Sequence, residues 1–368
     1  MKDLKIAVPE NFREFGDKVN EHINDMRGTK ENFLVDMDLV RFNNGEGKAV
    51  IKESLRDKDL YIMSDVTNYD VSYDFYGRKH YMSADEHFTD VKRILSAECG
   101  HAYKRTVIMP YLYESRQDKK EDRESLDCAV ALSELVSMGV NEIVTCDVHN
   151  RGIMNAAHMT SFESVHLGDM LLLDLLNNEE KIAFDNYVCV SPDEGAQRRA
   201  RLFSELLGGT EFGYFYKRRD YTKVINGKNP IIDHSYSGSS NLAGKSAIIV
   251  DDMIASGGSI LNSALSLKKL GVEKNYLVVT FALFTEGADK FNEYYRRGII
   301  DKVYASNVSY VPPEYRCLPW FKSVDCSYKI ANIINELNYG RSVGDLITGS
   351  KTETAVKIKK LRREYEKR

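Results

Sequence analysis

Short apolar runs alternate with longer amphipathic stretches along most of this chain, and this alternation restricts its fold more than any other feature. The apolar runs predict buried strands at residues 60–63, 106–109, 142–146, 188–190, 246–250 and 276–281. Between them, the spacing of apolar residues predicts helices at 127–138 and 197–207, and a glycine at the end of each can terminate it. Strands that alternate with helices form a mainly parallel sheet flanked by helices. The sequence therefore predicts an α/β fold.

Length and charge limit the domain count and the kinds of partner. A chain of 368 residues exceeds what one hydrophobic core ordinarily organises, so we expect two domains. Hydrophobic residues make up 43% and charged residues 29%, which is the balance of a globular protein. The net charge is −4, so no global basic field favours nucleic acid. Any phosphate site must therefore be local.

The start of the chain and its cysteines predict a cellular location. Few apolar residues precede Pro9, too few for the core of a signal peptide or for a membrane span. We therefore expect a cytoplasmic protein with no membrane partner. Six cysteines are scattered without a C-x-x-C pair, which argues against a zinc site or a disulfide framework. Buried reduced thiols are the expectation.

Two stretches stand outside the α/β pattern. Residues 67–90 are rich in Tyr, Asp and His without a clear period, and predict an irregular excursion between a strand and a helix, with His80 and His87 at the surface. Residues 351–368 carry eight Lys or Arg against three Glu. They predict a solvated terminal helix, and a contact to nucleic acid or a partner protein is the alternative.

The most specific motif consists of a strand, two carboxylates, a turn of small residues and a helix. The strand at 246–250 runs into Asp251 and Asp252, and the turn comprises Ala255, Ser256, Gly257, Gly258 and Ser259. Glycines let backbone N–H groups approach an anion, and the N-terminus of the helix adds partial positive charge. Open α/β sheets bind ligands beyond the carboxyl ends of their strands. The motif therefore predicts a phosphate monoester site, with sugar hydroxyls or hydrated Mg²⁺ facing the carboxylates.

This motif resembles the phosphoribosyl pyrophosphate loop that type I phosphoribosyltransferases share with ribose-phosphate pyrophosphokinases. The resemblance implies that Asp251 and Asp252 bind the ribose 2- and 3-hydroxyls and that residues 255–259 bind the 5-phosphate. Many pyrophosphokinases have an acidic residue where this chain has Ala255, whereas transferases often have alanine there. The loop by itself therefore leaves both families open.

A segment near residue 42 resembles a motif of the pyrophosphokinases. Residues 42–57 are similar to F-x-[DN]-G-E followed by E-S-[IVL]-R-G, with Asp57 in place of the last glycine. Phe42 can stack on adenine, while Asn44 and Glu46 offer hydrogen-bonding groups to its edge. An ordinary hairpin turn at 43–45 is the alternative.

Residues 110–120 resemble a second pyrophosphokinase motif, P-Y-x-x-Y-x-R-Q-D-[RK]-K, although Glu114 replaces the second tyrosine. Transferases in general lack this motif. Arg116 can grip a nucleotide phosphate through its planar guanidinium, and Gln117 adds a donor or acceptor. Residues 123–127 and 150–157 depart from the family pattern, so the allosteric behaviour of relatives is not assumed.

Three further matches concern the phosphates. Residues 147–149 match D-[LV]-H and residues 191–195 match S-P-D-x-G, which implies that His149 and Asp193 lie at the magnesium-triphosphate site. Mg²⁺ prefers oxygen ligands, so Asp193 is the better direct ligand. His149 can contact a phosphate oxygen directly or through water. A core histidine is the alternative for His149. Lys217 and Arg219 match the K-R-R that opens the catalytic loop, and are expected to neutralise transition-state charge. A solvated basic strand end is the alternative.

The motifs occur in family order, and the chain is identified as a member of the ribose-phosphate pyrophosphokinase family. The resemblance implies in-line attack by ribose 5-phosphate on the β-phosphorus of Mg-ATP, which yields AMP and 5-phosphoribosyl 1-diphosphate. It also implies two similar phosphoribosyltransferase-type domains. The expected segments are 1–165 on the nucleotide side, 166–320 with the ribose-phosphate loop, a return to the first domain at 321–347, and a basic tail at 348–368.

The resemblance has consequences for assembly and leaves two alternatives. In the family a neighbouring subunit completes the adenine pocket, so we expect a homodimer or a hexamer. A phosphoribosyltransferase that modifies a base is one alternative function. The other is a catalytically weak regulatory paralogue that binds an active synthetase.

Overall fold

The computed structural model describes residues 2–179, 184–219, 231–349 and 351–366, and describes the side chains in these ranges except at 217–219, 231–234, 365 and 366. The chain divides into two compact units. The first unit comprises Met1–His166, Asn307–Tyr310 and Asp325–Thr348. The second comprises Leu167–Ser306, Val311–Val324 and Gly349–Arg368. The chain thus enters the second unit after His166 and returns to the first near its end.

A parallel sheet and two β-hairpins make up the strands described in the first unit. In chain order the elements are β1 (Leu4–Ala7), α1 (Arg13–Arg27), β2 (Met37–Arg41), β3 (Gly47–Ile51), β4 (Asp59–Met63), β5 (Ser72–Phe75), β6 (Arg78–Tyr81), α2 (Ala84–Glu98), β7 (Lys104–Ile108), α3 (Asp127–Ser137), β8 (Glu142–Cys146) and β9 (Ser161–Val165). The sheet has the order β1-β4-β7-β8-β9. Its neighbouring strands are all parallel, whereas β2–β3 and β5–β6 are antiparallel hairpins.

The second unit contains a larger sheet. Its elements continue as α4 (Gly168–Asn178), β10 (Tyr187–Ser191), α5 (Gln197–Leu206), β11 (Glu211–Arg219), β12 (Ile231–Ser237), β13 (Ser246–Ile254), α6 (Gly258–Lys269), β14 (Lys274–Ala282), α7 (Asp289–Arg296), β15 (Lys302–Ser306), α8 (Pro313–Arg316) and β16 (Phe321–Val324). The strand order is β12-β11-β10-β13-β14-β15-β16, and among the described strands of this sheet only the β11–β12 pair is antiparallel. From β10 the chain continues to one side, and from β13 it continues to the other. Such a switch between neighbouring strands is where open α/β sheets bind ligands.

Three helices follow β16 in the part of the chain that the structure describes. They are α9 (Ser327–Asn338) and α10 (Gly344–Thr348) in the first unit, and α11 (Glu353–Glu366) in the second. Helix α9 packs against α1, and α11 packs against α4 and α5. Ala355 and Ile358 of α11 are fully buried, and the Thr352 hydroxyl donates to Asp169 Oδ2 at 2.6 Å. The expectation of a solvated terminal helix is therefore wrong for one face of α11, although Lys357, Lys359 and Lys360 are exposed on the other.

The structure confirms the α/β fold and the predicted strands, and corrects other expectations. Residues 67–90 are not irregular: they form the β5–β6 hairpin and the start of α2, which a capping box between Ser83 and Glu86 begins. His87 is buried instead of exposed, and its Nε2 donates to the Asn68 carbonyl at 2.6 Å. Four thiols are buried as expected, but Cys99 and Cys317 are exposed.

Candidate active site

Asp251 and Asp252 belong to the strand β13 itself, whereas the sequence suggested that the strand stops before them. The strand continues because β14 pairs with it as far as Ile254. Asp252 is only 3% exposed, and its backbone N–H donates to Oδ1 of Asp251 at 2.9 Å. The two carboxylates are thus held by a central strand and not by a mobile turn.

A third carboxylate and one guanidinium set the electrostatics of this acidic pair. Burial raises the pKa of the Asp251 carboxyl well above its ordinary range, and the carboxylates of Asp252 and Asp193 raise it further. The Arg199 guanidinium opposes this effect. Arg199 lies on α5, and its Nη2 is 3.6 Å from Oδ2 of Asp252. Carboxylates crowded in this way favour a ligand that donates hydrogen bonds or carries positive charge.

Backbone hydrogen bonds and close packing hold the loop after β13. The N–H groups of Leu283 and Thr285 donate to the carbonyls of Ile254 and Ala255 at 2.9 and 3.0 Å. Gly257 has φ +76°, and a Cβ there would lie 2.5 Å from the Phe291 ring. Glycine is therefore required at 257, both by its left-handed backbone and by the ring beside it.

The helix α6 begins at Gly258, directly after this turn, and the N–H of Leu261 donates to the carbonyl of Gly257 at 3.0 Å. A Cβ at Gly258 would have Ser256 Oγ as its nearest neighbour, at 3.9 Å. Ser256, Gly258 and Ser259 are all partly exposed. A helix N-terminus that begins with exposed small residues suits an anion, because its N–H groups are accessible.

Asp193 lies beside the acidic pair in the second unit. It follows β10, which pairs with β13, and its Oδ1 accepts hydrogen bonds from the N–H groups of Gly195 and Ala196 at 3.0 and 3.3 Å. These two bonds orient the carboxylate at the start of α5. Asp193 therefore belongs to the switch point between β10 and β13, together with Asp251 and Asp252.

The residues of the second unit fit a divalent cation only if other ligands complete its coordination. Over the described residues, no group of three or more His, Cys, Asp or Glu side chains is arranged to hold a metal by itself. Asp193, Asp251 and Asp252 nevertheless supply carboxylate oxygens, and burial together with the charges of Asp252 and Asp193 raises the pKa of Asp251. Hard divalent cations take oxygen ligands and often keep several from water and substrate phosphates. The donor set fits such a shared ion.

In the first unit, the turn between β2 and β3 displays the predicted adenine-binding residues. The N–H of Phe42 donates to the carbonyl of Glu46, and the N–H of Gly45 donates to the carbonyl of Phe42, both at 2.8 Å. Asn44 Nδ2 donates to a Glu46 carboxylate oxygen at 3.1 Å. The Phe42 ring is 46% exposed. The ordinary hairpin turn, which is the alternative interpretation of this segment, is present, and it is this turn that exposes the aromatic ring.

Arg116 and Gln117 lie on a second exposed turn, which follows β7. Tyr113 supports this turn because its ring stacks on Phe88 at 4.3 Å between centroids. The N–H of Gln117 donates to the carbonyl of Glu114 at 2.8 Å. Glu114, the position where the family motif has tyrosine, has φ +56°. The Arg116 and Gln117 side chains are thus exposed on a structured turn at the carboxyl end of a parallel strand.

His149 follows the neighbouring strand β8 and is exposed, so it is not a core histidine. The preceding Asp147 is buried, and its Oδ1 is 2.6 Å from Nδ1 of His166. The N–H of Val148 donates to Ser164 Oγ at 3.2 Å. These contacts fix the backbone that carries His149. The carboxyl ends of β7 and β8 therefore present Arg116, Gln117 and His149 at one edge of the sheet.

The predicted catalytic residues Lys217 and Arg219 lie at the end of β11, next to β10 in the sheet. The backbone of Lys217 pairs with that of His234 on β12, and the register shifts between Arg218 and Arg219. The side chains of Lys217 and Arg219 lie outside the described side chains. Arg199 is not predictable as a site residue from the sequence, because nothing in the run of arginines on α5 shows which of them turns towards Asp252.

Comparison with known proteins agrees with this arrangement. The protein-family model for the N-terminal domain of ribose phosphate pyrophosphokinase matches residues 4–139. The family model for the phosphoribosyl transferase domain matches residues 170–315. The ribose-phosphate pyrophosphokinase of Pasteurella multocida is 26% identical over 353 residues, which cover 95% of this chain and 100% of the relative. That of Thermosipho africanus is 28% identical over 310 residues, which cover 83% of this chain and 86% of the relative.

One solved structure supports the fold. The phosphoribosylpyrophosphate synthetase from Mycobacterium smegmatis has a TM-score of 0.72 at 20% identity, covering 92% of this chain and 100% of that chain. In the parts of the chain that the structure describes, no helix has the length and apolar character needed to cross a membrane. Both matched domains occur in one chain, and the alignments with relatives extend over most of its length. The chain therefore belongs to the ribose-phosphate pyrophosphokinase family.

Proposed function

We propose that this chain is a ribose-phosphate diphosphokinase, which transfers the β,γ-diphosphoryl group of ATP to ribose 5-phosphate and releases AMP. The observation that carries the proposal is the acidic pair followed by a small-residue loop at the switch point of the second unit. The family that the chain belongs to supports the same activity. The exposed turns of the first unit supply residue types suited to a nucleotide.

The second unit binds ribose 5-phosphate in this proposal. The N–H groups and hydroxyls of residues 255–259 hold the 5-phosphate, because the start of α6 offers partial positive charge there. Asp251 and Asp252 accept hydrogen bonds from the ribose 2- and 3-hydroxyls. The Arg199 guanidinium compensates part of the negative charge of this pair.

The first unit binds ATP. Phe42 stacks on adenine, and Asn44 and Glu46 hydrogen-bond to its edge. Arg116 contacts a nucleotide phosphate through its guanidinium, Gln117 adds a hydrogen bond, and His149 contacts a phosphate oxygen directly or through water. These assignments use side chains that are exposed or partly exposed on fixed turns.

Lys217 and Arg219 neutralise the charge that develops as the diphosphoryl group is transferred. Phosphoryl-type transfer depends mainly on positioning and cationic stabilisation, which two basic residues at a strand end provide. We assign Mg²⁺ as the divalent ion and Asp193 as its direct protein ligand. When bound, it neutralises phosphate charge.

We further propose that the chain forms a homodimer or hexamer, which light scattering after size-exclusion chromatography would measure.

Phosphorus NMR on the purified protein with Mg²⁺, ATP and ribose 5-phosphate tests the proposed activity. We expect AMP and a new sugar diphosphate to form together, and neither to form when the sugar is omitted. Release of ADP, or no turnover, would contradict the proposal. Consumption of 5-phosphoribosyl 1-diphosphate with a free base and without ATP would identify a phosphoribosyltransferase instead. Stimulation of an active synthetase without turnover of its own would identify a regulatory paralogue.

A further inference from the structure

The β5–β6 hairpin contacts the turn that we assign to adenine binding. The N–H of Tyr76, at the tip of this hairpin, donates to the carbonyl of Asn43 at 2.8 Å. Gly45 lies against the Phe75 ring: a Cβ at Gly45 would be 2.9 Å from Cε2 of Phe75 and 3.6 Å from the Tyr73 hydroxyl. The turn thus meets the hairpin through its backbone and through an aromatic surface.

The β5–β6 hairpin is itself fastened to α2 through Glu86. The Tyr73 hydroxyl donates to Glu86 Oε1 at 2.8 Å, and His80 Nε2 lies 2.9 Å from Glu86 Oε2. The N–H of Ser83 donates to the same Oε2 at 2.9 Å. One carboxylate therefore joins both strands of the hairpin to the beginning of the helix.

The β2–β3 hairpin is fastened to the same helix by a buried ion pair. Arg41, the last residue of β2, has its Nη2 2.6 Å from Oδ2 of Asp90, and these side chains are 10% and 7% exposed. The Arg41 guanidinium also lies 5.6 Å from the centre of the Tyr73 ring. Both hairpins are therefore held on α2. Tyr73 and Phe75 of β5 form the surface that contacts the β2–β3 hairpin.

We propose that the β5–β6 hairpin positions the adenine-binding turn, with Phe75 and Tyr73 as positioning residues that set the affinity for ATP. This inference rests on the proposed function. An exposed five-residue turn that carries an aromatic ring loses conformational freedom when it binds a base. A surface that already holds the turn reduces that loss and tightens binding. The hairpin then acts on nucleotide binding and not on the sugar or on the transfer step.

Replacement of aromatic residues in this hairpin tests the inference. Phe75→Ala removes the ring against Gly45, and we expect the KM for ATP to rise about 10-fold while kcat and the KM for ribose 5-phosphate change less than about 2-fold. Phe75→Tyr keeps the ring and should retain the wild-type KM. Tyr81→Ala is the matched control, because it removes an exposed ring from the same hairpin. The ring contact described for Tyr81 is with Lys79.

The possible outcomes separate this inference from the proposed function. An active Phe75→Ala enzyme with an unchanged KM for ATP overturns the inference and leaves the function intact. If the wild type shows no turnover, equilibrium dialysis with ATP replaces kinetics. Weaker ATP binding by Phe75→Ala then supports the inference although the function has failed. Equal binding, or no ATP binding by the wild type, overturns it.

A second variant covers the case in which Phe75→Ala does not fold, as judged by circular dichroism. Tyr73→Phe keeps the ring and removes only the hydroxyl that donates to Glu86. We expect a rise of about 3-fold in the KM for ATP, because the hairpin is then held less firmly. A wild-type KM in Tyr73→Phe would overturn the inference.

Discussion

Replacement of Gly257 by alanine tests whether the proposed ribose-phosphate loop depends on its backbone geometry. The backbone at Gly257 has φ +76°, which costs an L-residue roughly 1–2 kcal/mol. The new Cβ would lie 2.5 Å from the Phe291 ring, closer than any real contact. That ring is 1% exposed and stacked on Trp320 at 5.5 Å, so it has little room to move, and overpacking adds about 1–3 kcal/mol. Together the two effects predict a loss of roughly 2–5 kcal/mol in the free energy of unfolding.

Gly258→Ala is the matched control for this prediction. A Cβ at Gly258 would be 3.9 Å from its nearest neighbour, and its φ lies outside the left-handed region. Alanine is also the better helix former at the first residue of α6. We therefore expect Gly258→Ala to unfold at the wild-type urea concentration or slightly above it. Both variants are expected to raise the KM for ribose 5-phosphate, because both add a methyl group to the loop.

Urea unfolding followed by tryptophan fluorescence measures the difference between the two variants. Trp320 is the only tryptophan in the sequence, lies in the second unit and stacks on Phe291. A loss near 3 kcal/mol corresponds to a midpoint lower by roughly 1–3 M urea, given slopes of about 1–3 kcal/mol per M. Equal midpoints for Gly257→Ala and Gly258→Ala would refute the argument, because only the former has the strained backbone and the crowded ring.

Three further predictions concern buried charge and the transfer step. Arg199→Met should lower the free energy of unfolding by about 3 kcal/mol in the same assay, because it leaves buried Asp252 without this guanidinium, whereas exposed Arg198→Met should have little effect. Burial raises the pKa of Asp65 from 3.8 to about 6, so its stabilising contribution is complete below pH 3.8 and falls by about 3 kcal/mol as pH rises through 6. The free energy of unfolding of the wild type, relative to that of Asp65→Asn, should therefore fall as pH rises from about 4.5 to 7.5. Unfolding followed by circular dichroism measures both values, and a constant difference would contradict this prediction. Lys217→Ala should lower kcat at least about 100-fold with little change in ATP affinity, and equal losses in both would exclude a transition-state role.

The sequence was sufficient for those parts of the fold that depend on neighbouring residues, and for proposing the contiguous part of the site. Buried parallel strands appear as continuous apolar runs, so their positions could be predicted within a few residues. The motif from Asp251 to Ser259 is contiguous, and its glycines and hydroxyls indicate an anion site without knowledge of the rest of the chain. The hairpin turn carrying Phe42 is local in the same sense.

Short or irregular signals led to the incorrect expectations. Strands β5 and β6 are four residues each, too short for an alternating pattern to stand out among Tyr, Asp and His. The capping box at Ser83 and Glu86 is a usable sequence signal for the start of α2. His87 follows directly in that helix, where its position on the buried face became evident only with the helix in place.

By itself the sequence determined the α/β class and the family resemblance, and it suggested the proposed anion-binding loop, because each is encoded by residues close together in the chain. Only the tertiary structure decided that Arg199 faces Asp252, that Asp193 joins the acidic pair, and that Phe75 supports Gly45. Arg199 and Asp252 are brought together by parallel strand pairing and by the packing of α5 on the sheet. Contacts of this kind arise between residues far apart in the chain, where no local pattern specifies which side chains will meet.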